Sequence, residues 1–287
     1  MTVFRLNPVF TAPEASAYGL SRRHIAPLRI FRGYYSCTTP ASLQDRVRAA
    51  LLAAGAKGVV CGPTALRLAG VDLPSSLDNS QIWIQVPQSQ AWPYRTELRL
   101  VRTDRQGPLT SISGLPSLGL PFCWLQLARD LNIDGLVEVA DAMTRRHRSV
   151  STKADLLRAI DSWSRVPGGS KARAALDLCI EGTDSIPETD LRLLLVRAGL
   201  PTPEVNVMVV DSFGQWYYLD LGYEQYMLGI EYDGAYHVGD RGQMYRDATR
   251  RRTLEDLGWR IITVTAADLY RDPASVVRSV SKALLSR

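Results

Sequence analysis

The chain has 287 residues, which gives room for two domains and a large core. Hydrophobic residues make up 46% of it and charged residues 22%, which is typical of soluble globular proteins and excludes a disordered or fibrous chain. The formal net charge of +5 fits an acidic partner such as nucleic acid, and it fits equally well a surface charge that only serves solubility.

The cysteines and the N-terminus predict a cytoplasmic location. The four cysteines are far apart and match no zinc-binding spacing, so we expect free thiols in a reducing compartment. No charged start is followed by an apolar core and a cleavage site, and no uncharged apolar run approaches the ~20 residues that cross a bilayer. We therefore expect no membrane contact.

Residues 1–40 have the pattern of a winged-helix-like module. A first helix, a turn with glycine and a basic second helix with Arg22 and Arg23 follow one another. The segment 31–35 fits the wing, and both arginines are expected to bind nucleic acid. The alternative is a helical cap on the next domain, because Pro27 ends the second helix early.

Residues 41–165 predict an α+β region followed by a helical region. Apolar residues at helical spacing and short β-rich runs indicate the α+β region. The charge run at 145–148 is either a solvated face or a phosphate contact. The segment 166–170, rich in Pro and Gly, is a linker candidate, and it places a domain boundary between residues 150 and 185.

Residues 185–287 predict a third domain. Its elements follow in the order helix, three strands, helix, strand, helix, which indicates an α/β/α sandwich around a mixed sheet. The predicted helices cover 189–198, a basic stretch with Arg246, Arg250 and Arg251, and 273–285; the predicted strands cover 203–210, 216–221, 227–232 and 259–265.

Three carboxylates converge on the predicted hairpin formed by 216–221 and 227–232. Side chains alternate faces along a strand, so Glu231 and Asp233 share one face, and Asp220 can lie across from them. Carboxylates that crowd together repel each other unless a cation lies between them. Mg²⁺ or Mn²⁺ would suit these oxygen ligands and would leave positions for substrate phosphates. The hairpin therefore predicts a metal site that cuts a phosphodiester.

The array Asp220, then Glu231-x-Asp233-Gly-x-x-His237, then Asp247-x-x-Arg250 resembles a known family. It is similar to the very-short-patch-repair-like branch of the PD-(D/E)XK nucleases over residues 185–287, which implies a restriction-endonuclease-like fold. The N-terminal region is similar, more loosely, to the winged-helix module of abortive-infection-type antitoxins.

The resemblance implies a role for each matched residue. Asp220 would be the first metal-binding acid, Glu231 the second, and Glu188 the helix glutamate that supports the metal or its waters. His237 would lie beside the scissile phosphate, where an imidazole can relay a proton. Glu188 has an alternative role as an acid that stabilises a helix N-terminus.

The chain departs from the common nuclease core at one position. Lysine is usual two residues after the second acid, and Asp233 stands there. Gln243 or an arginine of the basic helix could supply the missing donor. Asp233 binds the metal in one interpretation and holds Arg250 in an ion pair in another, while Asp247 and Arg250 could form a salt bridge that braces the fold.

The expected function is metal-dependent hydrolysis of DNA phosphodiesters with Mg²⁺ or Mn²⁺, in DNA repair or in phage or toxin–antitoxin defence. The expected partner is DNA, with a cognate toxin or antitoxin as a second candidate. One alternative is a non-catalytic DNA-binding regulator of antitoxin type with a degenerate nuclease domain. Another is a toxin that acts on RNA or nucleotides.

Overall fold

The computed structural model describes residues 7–78, 80–90, 95–163, 165–234 and 241–286, without the side chains of 241–244 and 247. The chain divides into two compact units, each made of two segments. Unit 1 comprises Met1–Asn132 and Ala154–Arg173, and unit 2 comprises Ile133–Lys153 and Ala174–Arg287. Among the described helices, none combines the length and the apolar character that a bilayer crossing requires.

Unit 1 begins with a small three-stranded sheet next to two short helices. Its antiparallel strand order is β1–β3–β2, and Phe10, Ala15 and Ile25 form its core. Pro27 lies in a 3-10 turn, Ala26–Leu28, that directly follows the second helix. The winged-helix assignment of this module stays a prediction. The elements are β1 (Val9–Thr11), α1 (Ala12–Ala17), α2 (Arg22–Ile25), β2 (Arg29–Phe31) and β3 (Tyr34–Ser36).

A five-stranded mixed sheet forms the rest of unit 1. Its strand order is β6–β5–β4–β8–β7, with parallel pairs β5–β6 and β4–β8. All five residues of β5 are buried, as expected for a strand in the interior of a sheet. The elements are α3 (Leu43–Ala54), β4 (Val59–Val60), α4 (Gly62–Leu68), β5 (Ile82–Val86), β6 (Leu98–Arg102), β7 (Leu109–Ile112), β8 (Leu115–Leu118) and α5 (Leu120–Leu127).

Three helices follow, and they are divided between the units. They are α6 (Ile133–Met143), α7 (Lys153–Ser162) and α8 (Gly169–Leu178). Helix α6 belongs to unit 2, in which it packs against a later helix. The compact units therefore divide at other residues than the predicted domains 1–40, 41–165 and 185–287, which stay a prediction.

The remainder of unit 2 alternates helices with one four-stranded sheet. The strand order is β12–β11–β10–β9, in which only the pair β11–β12 is parallel within the described chain. This mixed sheet confirms the predicted α/β fold class. The elements are α9 (Ile186–Arg197), β9 (Glu204–Val210), β10 (Trp216–Tyr223), β11 (Leu228–Asp233), α10 (Arg241–Asp256), β12 (Arg260–Thr265), α11 (Ala266–Arg271) and α12 (Pro273–Leu285).

Two apolar clusters hold this sheet between helices. One joins α9 and α12 to the strands and includes Leu195, Leu221 and Ile230. The other joins α10 to the strands and includes Leu219 and Leu254. Helices therefore cover the sheet from both sides, as an α/β/α sandwich requires.

Strand β10 contributes to both clusters and changes cluster at Asp220. Leu219 belongs to the cluster with α10, and Leu221 belongs to the cluster with α9. On the neighbouring strand, Asn206 has a φ of 51°, which asparagine adopts more readily than most residues. Because this change of cluster occurs at Asp220, the residue lies between the two apolar clusters and belongs to neither.

Candidate active site

Asp220 and Glu231 come from adjacent strands at the point where the strand pairing ends. The last pair of β10 and β11 in this direction is Leu221 with Ile230, and both of these residues are fully buried. Asp220 and Glu231 are the next residues on their strands. The hairpin therefore places two carboxylates directly beyond its last buried pair. The sequence predicted that these two residues can lie across from each other.

Asp220 is a half-buried carboxylate with an unusual protonation equilibrium. Its Oδ2 accepts a hydrogen bond from the backbone N–H of Tyr232 at 2.8 Å. Burial and the charges of Glu188 and Glu231 together raise the pKa of Asp220 to about 7, although the Tyr232 N–H and the charge of Arg250 act in the opposite direction. Burial and like charges both disfavour the ionised form, so the position would favour a bound cation.

Glu188 lies near Asp220 because it opens helix α9. The Ser185 hydroxyl donates to its Oε1 at 2.7 Å, and the Asp184 backbone N–H donates to its Oε2 at 3.0 Å. Only 7% of Glu188 is exposed. Burial raises its pKa, while these two hydrogen bonds lower it. Glu188 thus stabilises the helix N-terminus, and its charge also acts on Asp220.

Arg250 connects helix α10 to both strands of the hairpin. Its guanidinium lies 2.5 Å from Oε1 of Glu231 and donates to the Tyr218 carbonyl at 2.5 Å. The next residue, Arg251, donates to the hydroxyl of Thr263 on β12. The positive charge of Arg250 therefore lies beside Glu231. In the common nuclease core, the lysine stands two residues after this acid.

The structure describes only some of the other residues predicted for this site. Asp233 ends β11 and is exposed, and Arg246 is exposed on α10. His237 lies outside the described residues, as do the side chains of Gln243 and Asp247. The roles predicted for all of them stay predictions.

The sequence did not predict that the loop after α6 reaches this site. The guanidinium of Arg146 stacks over the Tyr218 ring at 4.1 Å and pairs with Asp184 at 2.8 Å. The positive charge of Arg145 lowers the pKa of Glu188. The only signal in the sequence was the charge run at 145–148, whose position near the hairpin no local pattern reveals.

A buried polar network fixes helix α9, which carries Glu188. Arg192 is 1% exposed and pairs with Asp141 of α6 at 2.7 Å. The Thr189 hydroxyl donates to the same Asp141 oxygen at 2.9 Å, and the Arg192 guanidinium donates to the Leu178 carbonyl at 2.9 Å. The position of Glu188 therefore depends on residues outside the predicted domain 185–287.

The described residues of the site offer a divalent metal only a few protein ligands. The described residues contain no group of three or more His, Cys, Asp or Glu side chains that could hold a metal ion. They offer a pair, Asp220 and Glu231, while both oxygens of Glu188 already accept hydrogen bonds. Mg²⁺ is commonly bound through one or two carboxylates and keeps several waters, so this pair fits Mg²⁺.

Arg22 and Arg23 belong to unit 1 and are both exposed on helix α2. Arg29, on the strand that follows, is exposed as well. Exposed arginines suit contact with phosphates, and their predicted role in nucleic-acid binding stays a prediction.

Comparison with known proteins supports a nuclease-like C-terminal region. Residues 206–284 match the model of the family REase_MTES_1575, which is restriction-endonuclease-like. The matched segment includes Asp220, Glu231 and Arg250, and it begins after Glu188.

Two Mycobacterium tuberculosis proteins are similar over most of the chain. MT2308 of strain CDC 1551 and Rv2248 of strain H37Rv are each 26% identical over 259 residues, which is 90% of this chain and 92% of the relative. Both are named as uncharacterized proteins, so they add no activity. The crystal structure of the M. tuberculosis protein RV2827C aligns with a TM-score of 0.42 at 16% identity, covering 71% of this chain and 84% of that one.

Proposed function

We propose that the chain is a metal-dependent endonuclease that hydrolyses DNA phosphodiester bonds with Mg²⁺ or Mn²⁺. The observation that carries the proposal is Asp220, whose pKa is raised to about 7 by burial and by the neighbouring charges of Glu188 and Glu231. It lies within the segment that matches a restriction-endonuclease-like family. Buried carboxylates with raised pKa values are typical of functional sites.

Asp220 and Glu231 would hold the metal in this proposal. When bound, Mg²⁺ polarises a phosphoryl oxygen and lowers the pKa of a water molecule. The Tyr232 N–H fixes Asp220 through Oδ2. Glu188, held by Ser185, would orient waters and not the metal directly.

Arg250 would supply the positive charge that a lysine supplies in the common nuclease core. Its guanidinium already lies against Glu231, and a guanidinium can donate to a phosphate at the same time. His237 would relay a proton at the scissile phosphate, with Asp233 next to the metal. Exposed Arg246 and Arg251 would neutralise backbone phosphates.

Cleavage assays with matched variants test the proposal. The full chain is incubated with Mg²⁺ or Mn²⁺ and with plasmid, mismatched duplex or single-stranded DNA. Asp220→Asn and Glu231→Gln are each expected to lower the cleavage rate by about 10²-fold or more, as expected when electrostatic stabilisation of the transition state is lost. Glu255→Gln, an exposed position on α10, is the control and should cleave normally.

The same assays separate the alternative function. Exposed Arg22 and Arg23 favour a DNA-binding regulator whose C-terminal unit does not cut. If no substrate is cleaved with either metal, while DNA binds as tightly to Asp220→Asn as to the unsubstituted chain, the nuclease proposal is wrong. A role in DNA repair or in phage or toxin–antitoxin defence, with a toxin or antitoxin partner, is part of the same proposal.

A further inference from the structure

Unit 1 contains a cavity that the proposed nuclease chemistry does not use. Its volume is about 270 Å³, and it is lined by the edge strand β6, by α5 and the residues that directly follow it, and by Trp163, Val166 and Pro167. Small-molecule sites commonly have volumes of roughly 300–1,000 Å³, so this cavity could hold one small ligand. A nucleic-acid duplex is far too wide for it.

Contacts within unit 1 hold Trp163 and the backbone after Pro167 in place at this cavity. The Trp163 indole N–H donates to the Gln106 carbonyl at 2.9 Å, and the ring of Trp163 packs edge-on against Phe122. Gly168 has a φ of 82°, and a Cβ there would lie 2.2 Å from the Ala128 carbonyl oxygen. Only glycine allows so close an approach, so the backbone directly after Pro167 packs against Ala128.

Arg99 presents a flat, fixed cation at this cavity. Its guanidinium lies 3.9 Å from the centre of the Trp83 ring and binds both oxygens of Asp130, at 2.9 and 3.0 Å. The Trp83 ring packs directly on the backbone of Gly62. A Cβ at this position would lie 2.5 Å from the ring, so a larger residue would displace it. A guanidinium held flat in this way can stack on a second planar group.

Two further arginines at the cavity are available for a ligand. Arg102 and Arg129 line it and are exposed, and among the described residues neither guanidinium group is seen in an ion pair or a hydrogen bond. Asp130 is the only acid among the described lining residues, and it is already bound to Arg99. Positive charge at the cavity therefore exceeds negative charge, which favours an anion.

We propose that this cavity binds one nucleotide. The base stacks on the guanidinium plane of Arg99, and the phosphate is held by Arg102 and Arg129. Guanidinium groups match phosphate geometry and also stack on bases, so a single nucleotide uses both properties of the site. A free mononucleotide and the unpaired terminal nucleotide of a strand share this chemistry. The site lies within unit 1 and does not depend on the nuclease proposal.

Binding measurements on the full chain test this proposal. Isothermal titration calorimetry is done in EDTA with purine and pyrimidine mononucleotides, the corresponding nucleosides, inorganic phosphate, and single strands with or without a terminal phosphate. We expect a mononucleotide, or a strand with a terminal phosphate, to bind about tenfold or more tightly than nucleoside or phosphate alone, because both groups contribute. Tighter binding of the strand identifies a strand end as the ligand.

Arginine variants locate the binding. Arg102→Gln and Arg129→Gln are each expected to weaken it about tenfold, the loss of a charge-assisted contact. Arg158→Gln is the matched control, since Arg158 lies in the same unit, pairs with Asp155 and does not line the cavity. Equal affinity of all three variants and the unsubstituted chain, or the absence of nucleotide binding at millimolar concentration, would overturn the proposal.

A third variant tests the stacking. Arg99→Lys keeps the positive charge and removes the plane, so it should weaken mononucleotide binding while leaving the affinity for inorganic phosphate unchanged. A thermal unfolding scan verifies that this variant is folded. Inorganic phosphate binding as tightly as a mononucleotide to the unsubstituted chain would contradict the role of the base.

Discussion

Glu138 is a half-buried carboxyl group that lies near other acids. Burial, together with the charges of Asp190 and Asp134, raises its pKa to about 8. Asp190 accepts a hydrogen bond from the hydroxyl of Tyr270 at 2.7 Å, so it is already committed as an acceptor. Glu138 is therefore favoured in its protonated form, which can donate a hydrogen bond to Asp190.

This arrangement makes stability depend on pH. A carboxyl whose pKa is raised on folding stabilises the native state fully below its unfolded pKa, near 4.5, and this contribution is lost as the pH rises through about 8. Glu138→Gln should match the unsubstituted chain near pH 5. Near pH 9 it should be more stable by on the order of 1–2 kcal/mol, a value discounted for solvent screening.

Urea denaturation at both pH values measures the difference. Glu255→Gln, which changes an exposed acid on α10, should show the same small effect at both pH values. A difference between Glu138→Gln and the unsubstituted chain that does not change with pH would contradict this assignment.

Arg250 lies where the chain balances the charge of Glu231. Arg250→Gln would leave a largely buried carboxylate, 15% exposed, without this ion pair. We expect it to destabilise the protein by about 1–3 kcal/mol without metal. Mg²⁺ should then raise the melting temperature of the variant more than that of the unsubstituted chain, because it no longer competes with the guanidinium.

Arg252→Gln is the control for this prediction. Arg252 is exposed on the same helix, and its loss should change neither stability nor the response to Mg²⁺. Differential scanning fluorimetry across a Mg²⁺ series gives the measurement. Equal stabilisation of all three proteins by Mg²⁺ would show that Arg250 and the metal do not compete for Glu231.

Helices α6 and α9 are joined by two ion pairs that differ in burial. Asp141 and Arg192 are both 1% exposed, whereas the side chain of Arg197, which pairs with Asp134, is 54% exposed. Asp141→Ala leaves a buried guanidinium unpaired and should cost about 3–5 kcal/mol. Arg197→Met should cost less than about 1 kcal/mol.

Chemical denaturation compares the two variants. Combining Asp141→Leu with Arg192→Met replaces both charges by apolar groups and should recover much of the lost stability. Equal costs for Asp141→Ala and Arg197→Met would show that the buried network does not dominate the helix packing.

The sequence predicted most elements of unit 2 because each has a local signal. The structure places helix α12 over Pro273–Leu285, as predicted, and the hairpin strands within two residues of the predicted ends. Strand β11 begins at Leu228 and not at Met227, because Met227 adopts a left-handed conformation with φ 46° after a 3-10 turn. A positive φ at methionine has no sequence signature.

Contacts between residues that are far apart in the chain could not be predicted from the sequence. The hairpin alternation alone put Asp220 near Glu231, because their strands are consecutive. The sequence gives no sign that Arg192 differs from an ordinary polar helix residue. In the structure it is buried against Asp141, which lies 51 residues earlier. The cavity beside Arg99 combines three segments of unit 1, and no local pattern relates them.

Unit 2 is discontinuous in sequence. Helix α6 supplies the partner for buried Arg192, so residues 185–287 alone lack an essential part of their core. We expect the fragment 185–287 to unfold without cooperativity in urea, and the fragment 133–287 to unfold in one cooperative transition. Near-UV circular dichroism of both fragments measures this, and native-like packing of 185–287 would contradict it.

The two-segment composition of unit 2 also has a consequence for biosynthesis. Asp141 leaves the ribosome 51 residues before Arg192, which at ~5–20 residues per second is a delay of roughly 3–10 s. During this time α6, whose buried residues include Leu136, Val137 and Ala140, has no α9 to pack against. The nascent chain is therefore most prone to aggregation, and most in need of a chaperone, while residues 154–185 are being synthesised.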